Sequence, residues 1–218
     1  LAADYAKESL RREPRSKDAH SELFQAFGGG WTTEDWYAGA HNAGIDWYKD
    51  FVAQNPDYRG GYLWLMDLLL TDCRVDEAQA VCDALAKIDD SYRLPLYRGH
   101  IAWAQGDRET AQAIWEQMCW DFPGEWCVWL SMGNVHARTG RFAEAAADFR
   151  KAMELQEAPR YVDPLESIAL VKEIMGDIPG AMAALEEEIA LLGDEWNSTA
   201  GETVDKVRRE MERLKKKL

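Results

Sequence analysis

Small residues recur along this chain at a spacing of 34, and no other feature restricts its fold as tightly. Gly99, Gly106, Ala111 and Trp115 stand 34 residues ahead of Gly133, Gly140, Ala145 and Phe149. Going forward, the offset becomes 36, carrying Gly140 to Gly176, Ala145 to Ala181 and Phe149 to Leu185; the two additional residues fall in a linker around 157–161. Going back from Ala111 by 33 leads to Ala78, with Cys82 in the large-residue place and Tyr62 and Leu65 as first-helix core. A period of this length marks a stacked repeat array, read here as one helical hairpin per repeat. Each hairpin buries its apolar face only against its neighbours.

Each recurring residue has a physical task. Gly99 and Gly133 on first helices, with Ala111 and Ala145 on second helices, let two helices approach closely. Gly106, Gly140 and Gly176 stand where the first helix must stop and reverse, a place that favours left-handed backbone. Trp115, Phe149 and Leu185 fill the space against the next repeat. Helix starts are written at Asp163-Pro164-Leu165-Glu166, read as N-cap, N1 proline and N3 carboxylate, and at Pro179. At the end, Val204, Val207, Met211, Leu214 and Leu218 recur at spacings of 3, 4, 3 and 4, one apolar stripe on an otherwise polar helix.

The clearest unit reads Trp129-x2-Met132-Gly133-x2-His136, Gly140, Ala145-x3-Phe149, Ala152, with Pro123 closing the unit before it. It resembles the tetratricopeptide repeat (TPR) family, with His136 where the family has Tyr. The resemblance implies an all-α fold: a right-handed superhelix of antiparallel helical hairpins, a TPR-like α-solenoid with a C-terminal capping helix. It further implies a single domain over 1–218, divided into degenerate hairpins at 1–58, repeats at 59–91, 92–125, 126–161 and 162–195, and a capping helix at 196–218. The first sixty residues match only loosely. A helix over 2–14, a first helix from Asp18 to Phe27 ended by Gly28-Gly29-Gly30, and a longer helix from an N-cap at Thr33 to Asn55 are expected there. Leu1 opens the chain inside a helical pattern without Met, so a longer parent protein is expected.

In TPR proteins the first helices line a concave groove. Carried over place by place, this implies groove residues Leu63, Trp64, Asp67 and Leu70; Arg93, Leu96, Tyr97, His100 and Trp103; Cys127, Leu130, Ser131, Asn134 and Arg138; and Asp163, Glu166, Ser167, Leu170 and Glu173. The binding set expected from these is Trp64, Asp67, Arg93, Tyr97, His100, Trp103, Asn134 and Arg138. Aromatics beside Arg and Asn suit recognition surfaces, whereas the same tryptophans packed between repeats would be structural. One TPR subtype grips a peptide C-terminal carboxylate with Lys, Asn and Arg. Asn134 stands at a matching place, but Leu63 and Leu96 occupy Lys places and Asp67 an Asn place, so that subtype is excluded.

Composition narrows the partner. The net charge is −14, and a nucleic-acid binder needs a positive stripe to displace counterions. The only dense basic run, 205–218, holds seven Lys/Arg and three Asp/Glu, suited to a helix C-terminus. The most apolar stretch, Tyr62 to Leu70, is too short to span a bilayer and contains Asp67. Cys73, Cys82, Cys119 and Cys127 form no CxxC pair; they read as small apolar or turn residues in a reducing, cytoplasmic setting, with Cys119 and Cys127 flanking one turn.

Chemistry finds little footing. His20, His41, His100 and His136 are scattered, with no HExxH or GxSxG, and Gly28-Gly29-Gly30 lacks a phosphate-loop Lys. His136 reads as a hydrogen-bonded interior histidine, and the run Glu186-Glu187-Glu188 as a solvated face. The expectation is a non-enzymatic scaffold or adaptor, without cofactor or metal, holding a protein or peptide partner and neither nucleic acid nor membrane. A TPR-type sensor domain of a larger transcriptional regulator is the alternative. Self-association through Trp31 and Trp36 stays open beside packing of that segment on its own first repeat.

Overall fold

The structure, a computed structural model, describes residues 2–27 and 40–218, with side chains from Asn42 onward in the second stretch. Twelve α-helices and no strands occur among the described residues. The chain divides into two units, Leu1–Glu116 and Gln117–Leu218. The expected N-cap at Thr33, the glycine run at 28–30, and Trp31, Trp36 and the His41 side chain lie outside the described residues.

The first unit holds α1 (Ala2–Arg12), α2 (Lys17–Ala26), α3 (Ala40–Gln54), α4 (Arg59–Thr71), α5 (Val75–Leu85), α6 (Arg93–Ala104) and the greater part of α7 (Arg108–Asp121). Helix α2 is capped by Ser16, whose Oγ accepts from the Ala19 amide at 3.4 Å. Its His20 is buried, with Nε2 2.9 Å from the Pro14 carbonyl and the ring among Tyr48, Phe51 and Tyr58. Burial pushes the His20 pKa down. The core continues through Leu23, Ile45, Tyr48, Leu65, Leu68, Leu69, Cys82 and Leu85. Arg59 ties α4 to the segment before α6: its Nε lies 2.8 Å from the buried Asp89, which also accepts from the Ser91 hydroxyl.

The close approach between α6 and α7 is made by Gly99. A Cβ there would lie 2.0 Å from Trp115 Nε1, which donates to the Leu96 carbonyl at 3.2 Å. Gly106 has φ +89°, as a helix reversal requires. In the preceding hairpin the same place carries no glycine. Cys73 fills it, with φ +55° and an exposed side chain.

The second unit holds α8 (Trp126–Arg138), α9 (Phe142–Glu154), α10 (Asp163–Ile174), α11 (Ile178–Trp196) and α12 (Glu202–Lys215). These pack in chain order around Phe149, Met153, Leu165, Ile168, Leu185, Leu191, Val207 and Leu214. A Cβ at Gly133 would meet the Phe149 ring at 2.4 Å, and Gly140 and Gly176 have φ +78° and +79°. Asp177 caps α11, accepting from the Gly180 amide at 2.9 Å, with Pro179 in its first turn.

Three expectations need correction in this unit. Asp163 is the first residue of α10 and not its cap; Val162 precedes it with no side-chain cap bond, so the acidic side chain acts on the helix dipole alone. Leu218 is 76% exposed and lies beyond α12, so the terminal stripe ends at Leu214. Glu188 is fully buried, whereas its run suggests a solvated face; it falls on the inward stripe between Leu185 and Leu191. His136 is buried as expected, with Nδ1 2.6 Å from Asp148 Oδ2. All four cysteines are free thiols.

Candidate interaction face

In the first unit the expected face residues lie on α4 and α6. Asp67 is half-buried, and Tyr97 comes from α6 to meet it. The Tyr97 hydroxyl donates to Asp67 Oδ1 at 2.9 Å and lies 3.4 Å from the Leu63 carbonyl oxygen. Burial raises the Asp67 pKa; the Arg93 charge and the Tyr97 hydrogen bond oppose that rise. Burial, then the Asp67 charge, hold the Tyr97 phenol well above its ordinary range. The three side chains satisfy one another and fix α4 against α6.

The other members of the set in this unit pack inward to different degrees. Trp64 is half-buried against Phe24 of α2, ring centres 4.7 Å apart. Trp103 is half-buried 6.0 Å from Trp115, with the Arg108 guanidinium 4.9 Å over its ring. His100 meets the Trp115 ring edge-on at 5.1 Å. These aromatics show the packed alternative in part. Tyr97 is only 2% exposed, because the Asp67 carboxylate draws its hydroxyl inward, and both tryptophans spend one face on neighbours.

In the second unit, taken by itself, several expected residues are open to solvent. Asn134 and Arg138 on α8 are exposed. On α10, in the places 36 residues on, Leu170 is 58% and Ile174 54% exposed. Leu130 packs against the core, while the Ser131 and Ser167 hydroxyls bond back to the Cys127 and Asp163 carbonyls. Glu166 and Glu173 are engaged by α12: Lys206 reaches Glu166 at 3.0 Å, and Arg213 Nη1 reaches Glu173 at 2.7 Å, with Lys217 on the same carboxylate. The basic run of the C-terminus thus pairs with two carboxylates of α10. Ile174 is absent from the expected set, although the offset from Arg138 points to it.

A second surface of this unit lies outside the expected set. Trp126, Tyr161 and Trp196, spaced 35 residues apart, form a ladder with successive ring centres 5.7 Å apart. Trp196 Nε1 donates to the Arg160 carbonyl at 2.6 Å, and the Arg160 guanidinium pairs with Glu195. The signal was present in the 35-residue spacing of three aromatics.

Both units define a class: all-helical proteins built from antiparallel hairpins with glycine-relieved contacts. Residues 126–158 match the tetratricopeptide repeat family model. The fold agrees with a tetratricopeptide repeat protein of Parabacteroides merdae (13% identity, TM-score 0.60, covering 98% of this chain and 91% of that one). It also agrees with a thermophilic TPR protein of Thermus thermophilus (22% identity, TM-score 0.56, 78% and 88%) and with PilF of Pseudomonas aeruginosa (18%, 0.55, 73% and 68%). No curated protein matches the sequence closely enough to count as a relative. The chain has the fold of these tetratricopeptide repeat proteins, and one stretch, 126–158, matches the repeat in sequence. Among the described residues, no helix is long and apolar enough to cross a membrane.

Proposed function

We propose that this chain is a protein-interaction scaffold that takes a peptide or protein segment on the first-helix face of α8 and α10. The supporting observation is the pair Leu170 and Ile174, open at more than half exposure on α10, at the places that Asn134 and Arg138 occupy on α8. Neighbouring apolar side chains left to water on an otherwise well-packed helix suit a partner that covers them. Leu170 and Ile174 supply apolar area, Asn134 bonds the partner's backbone, and Arg138 pairs with a carboxylate or carbonyl. The net charge of −14 disfavours a nucleic-acid or anionic-membrane partner.

Selection of a random-peptide display library on the full chain tests this reading. Wild type is expected to enrich a related set of peptides. Leu170→Asp and Arg138→Glu, each shown to be folded by circular dichroism, are expected to weaken those peptides at least about tenfold. Equal capture by both folded variants contradicts the proposed face.

A further inference from the structure

Glu188 is fully buried at the meeting of α10, α11 and α12, and neither carboxylate oxygen has a hydrogen-bond donor among the described residues. Three charged groups act on it from the helices packed against α11: Asp163 and Glu166 on α10, and Lys206 on α12. Lys206 is spent largely on Glu166, at 3.0 Å, and is two-thirds exposed. An ionised Glu188 would therefore be desolvated, repelled by two carboxylates and only partly compensated by one ammonium. Helix α12 packs against α11, with Val204, Val207 and Leu214 buried. Asp163, Glu166 and Glu188 do not form a cation site; among the described residues no group of three such ligands is placed to hold a metal.

We infer that Glu188 makes the docking of α12 proton-dependent: the helix is held closed over an uncharged Glu188 and loosens when that carboxyl ionises and draws water. Burial first, and Glu166 second, raise the Glu188 pKa from 4.5 to about 7, against the opposing pull of Lys206. The undocked state solvates the carboxylate and returns it toward its ordinary value. A group whose pKa is higher in the docked state binds more protons there, so docking weakens as pH rises through the interval from 4.5 to about 7. Opening would carry Val207 and Leu214 out of the cluster that contains Leu185 and Leu191, uncovering the hairpin of α10 and α11. The device is thus a latch on that hairpin, set near neutral pH.

Amide hydrogen exchange of the full chain, corrected for intrinsic rates, reads the latch between pH 5.5 and 8.5. Wild type is expected to lose protection in α12 by about tenfold or more over that range, while α8 amides hold theirs. Glu188→Gln keeps the shape and removes the charge, so its α12 protection is expected to be flat with pH. Parallel profiles in wild type and Glu188→Gln, or an equal loss in α8 and α12, overturn the proposal. Should the variant fail to fold, a carbon-13 carboxyl titration of wild-type Glu188 joined to the wild-type exchange profile decides: a midpoint near the ordinary 4.5, or one that does not coincide with the loss of α12 protection, overturns it, and a near-neutral midpoint that coincides with that loss upholds it.

Discussion

Asp67 on α4 and Tyr97 on α6, 30 residues apart in sequence, share a hydrogen bond of 2.9 Å. The bond joins two consecutive first helices through side chains that a groove register would point toward a ligand. Removing the donor leaves a half-buried carboxylate with Arg93 as its remaining named partner. Tyr97→Phe is expected to destabilise the chain by about 1–3 kcal/mol in urea unfolding. The loss should be larger at pH 7 than near pH 4, where protonation relieves the orphaned charge.

Cys73 is a non-glycine residue at φ +55° in the place where Gly106, Gly140 and Gly176 turn the other hairpins. A side chain there strains the backbone, and glycine removes that strain at some cost in unfolded-state entropy. Cys73→Gly is expected to raise stability by up to about 1 kcal/mol, measured as a shift in the urea midpoint. A drop would show that the Cys73 side chain makes a contact worth more than the turn strain.

Gly99→Ala places a methyl 2.0 Å from Trp115 Nε1 in the unrelaxed structure. The ring must move, which endangers its bond to the Leu96 carbonyl. A destabilisation of about 1–3 kcal/mol is expected, with a shift in tryptophan near-ultraviolet dichroism. Gly106→Ala meets no atom within 4 Å but takes up a φ of +89°, so its cost should come without that dichroic change.

Hydrogen bonds from Arg213 first, and Lys217 second, lower the Glu173 pKa from 4.5 to about 2. A carboxylate with a depressed folded-state pKa contributes stability in full above pH 4.5, and the contribution is lost as pH falls toward 2. Glu173→Gln should loosen α12 at neutral pH and flatten that acid limb, measured by exchange of α12 amides. High salt should weaken wild-type docking in the same direction, because Arg213 and Lys217 are about half exposed.

The turns and close contacts of this fold were legible because glycine has few other reasons to recur at offsets of 34 and 36 residues. Gly99, Gly133, Gly106, Gly140 and Gly176 each sit where their spacing places them. Cys73 reads from the sequence as a small apolar or turn residue, but nothing in its chemistry announces the left-handed backbone it adopts. Side-chain partners were harder to read. The repeat register puts Asp67 and Tyr97 near a common face but not in contact with each other. Glu188 looked solvated among three glutamates, yet its spacing of three from both Leu185 and Leu191 marks the buried stripe. Of the open apolar pair, Leu170 stands among the expected groove residues, whereas Ile174 joins it only through its exposure.

The central claim is that a partner covers the first-helix face of α8 and α10. Its most direct test is amide hydrogen exchange of the full chain with and without a peptide enriched by the display selection. The account predicts slowed exchange concentrated in α8 and α10, lost in Leu170→Asp. Protection confined to α9 and α11, with α8 and α10 unchanged by the peptide, would contradict it.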